Sequence, residues 1–334
     1  MCSADVFNDR PAGDVVLRNM TASDLEVAHA LSQGARWPHR LEDWQQAWPL
    51  GEGVVAVRDG TVIGTAMRWR WGTHHATVGL VIVSPQHQGR RVGHCLMAGV
   101  LEPLQDCDVT LFATPEGRGL YARLGFTAIG EARQHQGVAI PTPLMPMKEG
   151  ECLRAATRLD LATLVALDTV ARGMPRDRLI AALLEAGDTV VLDTPDGVQG
   201  FATVRCFGRG MMIGPVVAPD VAAAQGLIAH WLNRHVNRFV RIDVDRGGGL
   251  SAWLERCGLA GVDAPVVMVR GRPAQPVWQC ASLCACFAGP GLIAAEVYAA
   301  IAAAQSERRR RITSAMGNTP TSRPKRSSSS GPQV

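Results

Sequence analysis

The chain has 334 residues, 47% hydrophobic and 19% charged, which is typical of a soluble globular protein of about two domains. Its net charge of +4 is concentrated at one end: residues 307–334 contribute seven basic residues and one acidic residue, or +6, which leaves −2 on the rest. A nearly neutral body argues against a nucleic-acid-binding surface. Nine scattered cysteines, an odd number, indicate reduced thiols in a cytoplasmic protein. The first residues lack the apolar run of a signal peptide.

The first predicted elements are short, and residues typical of caps and turns separate them. The pattern predicts a strand over 15–18, cap residues over 21–24 and helices over 25–31 and 41–48. A β-hairpin then joins strands over 54–57 and 61–70, and Asp59-Gly60 is typical of its type I′ turn.

A strand, a glycine-bearing turn and a helix follow over residues 78–104. Residues 78–83 are apolar or small without alternation, which predicts a strand buried on both faces. Pro85 ends it, residues 88–93 form a polar turn, and a helix is expected over 92–104. The free N–H groups and the dipole of a helix N-terminus favour an anion, and two arginines in the turn add positive charge. This arrangement predicts a diphosphate site.

The turn is neither a dinucleotide fingerprint nor a P-loop. It resembles the [QR]-x-x-G-x-[GA] pyrophosphate loop of the GNAT acetyltransferases: Gln88 and Gly93 match the first and last positions, while Arg91 replaces the central glycine. The resemblance implies that acetyl-CoA is bound there. The residues it implies for cofactor binding are Val81, Ile82, Val83, Gln88, Gly89, Arg90, Arg91, Val92 and Gly93.

A second motif supports the same resemblance. A strand is expected over 109–113, a helix over 119–124 that ends at Gly125, and a further strand over 126–130. The segment GLYARLGF (119–126) is similar to a later motif of the same family, and so is the order of the elements. The resemblance implies that Tyr121 is the general acid that protonates the CoA thiolate; the alternative is a core aromatic.

The residues that handle the acceptor are left open. Residues 69–83 contain no Asp or Glu, so a histidine or a relayed water could serve as the general base. His74 and His75 begin the strand, and His135 could face the cleft from the next strand. Five tryptophans within residues 37–71 either wall the acceptor site, where they could hold an ammonium group, or pack in the core. They are Trp37, Trp44, Trp48, Trp69 and Trp71.

The second half repeats the first. Asp59-Gly60 is echoed by Asp196-Gly197, residues 83–85 by 217–219, and residues 124–126 by 257–259, at similar spacings. The repeat predicts a diverged second copy after a Pro-rich linker over 141–150. This copy lacks the basic glycine turn: Asp220 stands there, and we expect it to cap its own helix. Leu254 occupies the position of Tyr121, so we expect one acetyl-CoA per chain, bound by the first copy.

The C-terminal part of the chain contains a long apolar stretch. Residues 281–304 are mostly apolar, but Gly289-Pro290-Gly291 and Glu296 leave pieces too short to span a bilayer, so a docked helix over 292–305 is expected. Residues 313–334 are predicted to be disordered. The cysteines at 280, 284 and 286 fit no zinc pattern and are predicted to be free thiols.

The expected fold class is α/β (α+β), with two GNAT-like domains, each a mixed central sheet flanked by helices. Residues 14–147 are the expected catalytic acetyl-CoA-binding domain, 151–272 a degenerate GNAT-like domain, and 273–334 a C-terminal extension. The implied activity is acetyl-CoA-dependent N-acetyl transfer to a small amine or amino-acid-like acceptor; a non-catalytic acyl-CoA-binding or sensing module is the alternative. Acetyl-CoA is the expected co-substrate and a small-molecule amine the expected partner, with no metal, nucleic acid or membrane.

Overall fold

The structure of the protein is a computed structural model that describes residues 15–274. The expectations for the C-terminal helix, the disordered tail and the three clustered cysteines lie outside these residues. The first half contains β1 (Val16–Asn19), α1 (Leu25–Gly34), α2 (Leu41–Ala47), β2 (Glu52–Arg58), β3 (Thr61–Trp71), β4 (His75–Val83), α3 (Val92–Leu101), β5 (Asp108–Ala113), α4 (Pro115–Arg123) and β6 (Thr127–Val138).

The second half repeats this order and adds one strand at its end. Its elements are β7 (Cys152–Ala155), α5 (Leu161–Arg172), α6 (Asp177–Ala186), β8 (Asp188–Thr194), β9 (Gly197–Phe207), β10 (Gly210–Val217), α7 (Val221–Arg234), β11 (Phe239–Asp245), α8 (Ser251–Arg256), β12 (Ala260–Asp263) and β13 (Val266–Arg270). The internal repeat and the mixed α/β class are therefore confirmed.

Local turn chemistry agrees with the sequence at two positions. Asp59 and Gly60 both have positive φ, 50° and 76°, as a type I′ turn requires. Gly125 follows α4 with φ +85°, the left-handed conformation of a helix-terminating glycine. Helix α4 begins at Pro115, earlier than the predicted start at residue 119, and Gly117, which lowers helix propensity, lies in the missed turn. The Thr114 hydroxyl accepts a hydrogen bond from the Gly117 N–H at 3.2 Å and begins the helix four residues earlier.

The prediction that β4 is buried on both faces is wrong. Buried and half-buried residues alternate along it. The buried side also changes at a bulge near Leu80: Val78 packs in the core beneath α3, whereas Leu80 and Ile82 pack in the core beneath α1 and α2. Val81 and Val83 are only partly covered on the α3 side. A strand that lines a cleft has the same apolar composition as a strand in a closed core, so the sequence could not distinguish them.

The two halves share strands. One sheet has the order β1-β2-β3-β4-β5-β13-β6, and a second continues from β6 as β6-β11-β10-β9-β8-β7, with β12 also paired to β6. Strand β13, the last of the second half, lies antiparallel between β5 and β6 of the first half. Residues 132–138 of β6 pair in turn with β11. Only β4–β5 and β10–β11 are parallel among the strand pairs of residues 15–274, so both sheets are mixed.

A core between the halves joins them on one face. It contains residues of α1, α2 and β2 to β4 together with Met174, Leu179 and Leu183 of the second half. Separate cores lie beneath α3 in the first half and around α7 in the second. The helices α1 and α2 and the second half therefore cover the same face of the first sheet.

Candidate active site

A cleft begins where β4 and β5 stop pairing. Their parallel ladder covers only residues 75–77 of β4 and 108–110 of β5, although both strands continue. Leu80, with φ +51°, marks the bulge, and its carbonyl accepts a hydrogen bond from the Thr65 hydroxyl at 3.0 Å. Residues 78–83 thus have no strand partner on the side of β5. The edge of β4 that faces β5 is therefore open there, and an open strand edge can bind an extended ligand.

The polar turn lies at the end of this open edge. The Gln88 side chain donates a hydrogen bond to the Val83 carbonyl at 3.1 Å and so ties the turn to β4. Gly89 has φ +72°, and α3 begins at Val92 without a side-chain cap on its first turn. Uncapped first-turn N–H groups at a helix N-terminus form an anion-binding site.

Arg91 departs from the family pattern in residue type, but its backbone takes a conformation that suits glycine. It has φ 61° and ψ 7°, in the left-handed region. A non-glycine residue in this region costs roughly 1–2 kcal/mol. The turn therefore keeps a glycine-compatible geometry at a cost in stability, and it gains a side-chain cation beside the helix N-terminus.

Tyr121 lies on α4, the helix that follows β5. Its side chain is 8% exposed and packs edge-on to Phe126, with ring centroids 6.1 Å apart. Gly117 makes room for it, because a Cβ there would lie 2.8 Å from the Tyr121 ring. No hydrogen bond to the phenol occurs among residues 15–274. Burial raises the pKa of Tyr121 to about 12, so the group is a neutral phenol with a proton to donate at physiological pH.

The candidate general bases do not join this cleft. His135 is fully buried at the junction of β6 and β12, where its ring nitrogens lie 3.1 Å from the Leu259 carbonyl and 3.1 Å from the Ser251 hydroxyl. The expectation that it faces the cleft is therefore wrong: residues 132–138 of β6 pair with β11, and the His135 ring contacts residues of the second half. His74 and His75 stand at the start of β4, at the opposite end from the turn.

The equivalent position in the second half is occupied by a carboxylate. Asp220 caps α7, its side chain accepting a hydrogen bond from the Ala223 N–H at 2.8 Å, as predicted. This hydrogen bond is the main reason that its pKa is lowered, and Lys148 lies 3.4 Å away. The position of Tyr121 is taken by the fully buried Leu254. The first turn of α7 thus has its own capping anion.

A cavity of about 150 Å³, here called the Arg205 cavity, lies between the halves on the face of β4 opposite α3. It is lined by His39, Asp43, Trp44, Gln46, Ala47, Pro49, Leu50, Leu80, Leu179, Ala182, Leu183, Ala186, Arg205 and Phe207. Sequence reasoning missed His39 and Arg205. The available signal was Arg205 itself, an arginine within the mostly apolar residues 201–207 of β9.

A larger cavity of about 770 Å³ also draws on both halves. Its charged lining residues are Arg118, Glu131, Arg172, Asp245 and Arg246. Arg246 pairs with Glu131 at 2.6 Å. Burial raises the pKa of Asp245. Charged side chains of the second half therefore line space beside β5 and β6 of the first.

The tryptophans divide between core and wall. Trp44, Trp69 and Trp71 are at most 4% exposed, and Trp37 and Trp48 are half-buried. The Trp69 indole donates to the Ala47 carbonyl at 3.1 Å, which fixes α2 on the sheet. Trp44 both packs in the core and lines the Arg205 cavity.

Two further observations concern the described part of the chain. Residues 15–274 contain no group of three or more His, Cys, Asp or Glu side chains arranged to hold a metal ion. Over the same residues, no helix combines the length and hydropathy needed to cross a bilayer.

Two family models match the chain, and both are described as an acetyltransferase (GNAT) domain; one covers residues 22–148 and the other residues 164–279. A curated relative, the uncharacterized N-acetyltransferase YitH of Bacillus subtilis (strain 168), is 28% identical over 152 residues. These residues make up 44% of this chain and 53% of YitH, so the match spans about half the length of that relative.

Solved structures share the fold at low sequence identity. A candidate acetyltransferase from Pyrococcus horikoshii superposes with a TM-score of 0.65 at 18% identity, covering 82% of this chain and 94% of that chain. A tandem GNAT protein from the clavulanic acid biosynthesis pathway gives a TM-score of 0.58 at 14% identity, covering 78% of this chain and 99% of that chain. The second similarity extends over two domains in one chain, as the internal repeat here does.

Proposed function

Since the chain belongs to the GNAT acetyltransferase family, with two such domains in tandem, we propose that it transfers the acetyl group of acetyl-CoA to the amine of a small-molecule acceptor. The observation that carries the proposal is the junction of β4 and α3. There an open strand edge leads into a turn with two left-handed residues, Gly89 and Arg91, and an uncapped helix N-terminus. This donor set fits a pantetheine chain followed by a diphosphate.

The proposed roles follow from these positions. The N–H groups of residues 88–93 hold the diphosphate, and Arg90 and Arg91 add charge to it. The open edge over 81–83 orients the pantetheine arm. When bound, the co-substrate supplies a thioester carbonyl for a neutral amine to attack. Tyr121 then gives its proton to the departing thiolate, since a buried phenol stays protonated and has no competing hydrogen bond.

The second half has a different proposed task. Asp220 would repel a diphosphate at the first turn of α7, and Leu254 offers no proton. Its helix α6 and strand β9 instead line the Arg205 cavity with α2 and β4. We therefore assign acetyl-CoA to the first half alone and acceptor recognition to both halves.

The test is a calorimetric titration with acetyl-CoA. We expect one site per chain, and Gly93→Glu should abolish binding because a carboxylate would face the diphosphate. Gly93→Ala is the matched control: its Cβ would lie 3.4 Å from Leu120 and 3.8 Å from Val83, which the fold can accommodate, so binding should persist. Two sites per chain, or unchanged affinity in Gly93→Glu, would contradict the assignment.

Turnover is tested separately, by following thiol release with a panel of amines. Release that depends on both acetyl-CoA and an amine is expected. Tight binding of acetyl-CoA without transfer to any amine would instead favour the alternative of a non-catalytic acyl-CoA sensor.

A further inference from the structure

Arg205 is a buried cation without a counter-ion. Its side chain, on β9, is 6% exposed and lines the Arg205 cavity. Its Nε has no hydrogen-bond partner, and no carboxylate of residues 15–274 pairs with it. The guanidinium lies over the Phe207 ring, 4.7 Å from the centroid, and burial lowers the pKa of Arg205 to about 10. An unpaired buried charge opposes folding unless something in the native protein compensates it.

The carboxylate that lines the same cavity does not provide that compensation. Asp43 lines the same cavity and its charge favours the ionised form of Arg205. Its carboxylate, however, already accepts from the Arg40 guanidinium at 2.7 Å, the Arg40 N–H at 2.9 Å and the Gly208 N–H at 2.9 Å. Both carboxylate oxygens of Asp43 are thus hydrogen-bonded to other groups, and the positive charge of Arg205 remains unpaired.

Two neighbouring side chains also have buried polar atoms without hydrogen-bond partners. Arg241 pairs with Asp243 through two hydrogen bonds of 2.8 and 2.5 Å, which leaves its buried Nη1 without a partner. Its guanidinium lies 5.9 Å from the same Phe207 ring. His39 is 3% exposed, and neither of its ring nitrogens has a hydrogen bond. Unpaired polar groups therefore lie in and beside the cavity, and the positive charge of Arg205 is the one that no carboxylate of residues 15–274 pairs with.

The strand registers identify the residue of the first copy that corresponds to Arg205. Arg205 pairs with Met212, which pairs with Arg241, across β9, β10 and β11. In the first half, Trp69 pairs with Thr77 in the same way across β3 and β4. The position of Arg205 is thus filled by a packed tryptophan in the first copy. An apolar side chain would be enough to fill this position in the core. The presence of a cation therefore indicates a role other than packing.

We propose that the Arg205 cavity binds a carboxylate of the acyl acceptor, so that the acceptor is an amine that also carries a carboxylate group. The inference rests on the proposed function. The planar guanidinium fork of Arg205 matches a carboxylate, and one negative charge balances the cavity. Its volume suits a group of amino-acid size, and the apolar remainder of the lining accepts a short hydrocarbon chain. Leu80, at the bulge of β4, lines the same space and places the bound acceptor beside the cleft strand.

The test compares amino acids with their carboxamides, which keep the amine and lose the charge. In thiol-release assays the native protein should use at least one amino acid with a KM about 30-fold or more below that of its amide. Arg205→Met should raise the KM for the amino acid to that of the amide, and Arg205→Lys should recover part of the difference. Equal KM values for acid and amide in the native protein, or an unchanged KM in Arg205→Met, would overturn the inference.

Stability distinguishes a binding cation from a structural one. Arg205→Met removes an unpaired charge, so the melting temperature of the protein alone should stay level or rise. Arg176→Met is the matched control: Arg176 pairs with the buried Asp168 at 2.5 Å, so its loss should lower the melting temperature without changing the preference for acid over amide. A large fall in melting temperature for Arg205→Met would indicate a structural role and count against the proposal.

A measurement without acetyl-CoA separates this inference from the proposed function. The same amino acids and amides are added to the protein alone, and its melting temperature is followed. A rise with an acid, absent with its amide and absent in Arg205→Met, would support the carboxylate site even if no acetyl transfer were detected. No rise with any acid, in a protein that binds acetyl-CoA and acetylates amines, would reject the site and leave the function intact.

Discussion

Replacing Tyr121 by phenylalanine separates chemistry from packing with unusual clarity. The substitution removes one oxygen and keeps the ring that packs on Phe126 and fills the space beside Gly117. Because no hydrogen bond to the phenol occurs among residues 15–274, none is lost there. The free energy of unfolding should therefore change by no more than about 0.5 kcal/mol.

Turnover should respond quite differently. Loss of a positioned general acid typically costs a factor of about 10² or more, which corresponds to roughly 2.7 kcal/mol in activation free energy. Affinity for acetyl-CoA should be nearly unchanged, since the diphosphate and pantetheine contacts are assigned to other residues. Because burial raises the pKa of Tyr121 to about 12, its ionisation should not limit the rate on the alkaline side below about pH 11.

The assay combines thiol release, calorimetric titration and thermal unfolding on the same preparations. Tyr121→Ala is the packing control, for which a loss of about 3–5 kcal/mol in stability is expected. Unchanged turnover in Tyr121→Phe would refute the role of general acid. A parallel fall in stability and turnover would instead identify Tyr121 as a core aromatic.

Two further predictions concern backbone strain and a buried imidazole. Arg91→Gly should raise the free energy of unfolding by about 1 kcal/mol by relieving the left-handed conformation, whereas Arg90→Gly should not; equal effects in chemical denaturation would contradict this. Burial lowers the pKa of His39 from 6.5 to about 3, so the unfolded chain binds the extra proton between these values and stability falls as pH drops through that window. In His39→Leu this part of the acid sensitivity should disappear; a stability–pH profile identical to that of the native protein would show that His39 does not contribute.

The strand–turn–helix unit could be predicted from the sequence because its signals are local. Apolar runs, a proline stop and turn glycines act within a few residues, and the resemblance of Gln88–Gly93 to a known loop depends on the same short segment. The Asp59-Gly60 turn and the cap formed by Asp220 belong to this class. Each depends on chemistry between residues separated by at most three positions.

A further repeated feature, an Arg–Asp pair six positions apart, is also visible in the sequence. Arg18 binds Asp24 through two hydrogen bonds of 2.7 Å, and Arg154 binds Asp160 in the same way at 2.8 and 2.9 Å. In both halves the acidic residue also caps the turn before the first helix. The shared spacing Leu-Arg, Thr and Asp is visible in the printed sequence, and it extends the duplication to the first strand of each copy.

The site between the halves could not be predicted in this way. Arg205 and His39 are separated by more than 160 residues and meet through the packing of one copy on the other. Whether a lone arginine in an apolar strand faces a counter-ion, solvent or a cavity depends on that packing. The placement of His135 failed for the same reason, since β6 continues out of the first sheet and into the second.

Because each half contributes a strand to the other half's sheet, the boundaries of the sequence repeat are not the boundaries of separate folding units. Residues 14–147 and 151–272 delimit the two copies, and these boundaries remain predictions about the repeat. In the folded chain β13 hydrogen-bonds to β5, whose end leads directly into the helix that carries Tyr121. Removing the second copy would thus leave β5 with an open edge beside the cleft and deprive β6 of its partner β11. The second copy therefore has a structural role whatever it binds: its strand β13 completes the sheet beside α4, and its strand β9 supplies the cavity wall that contains Arg205.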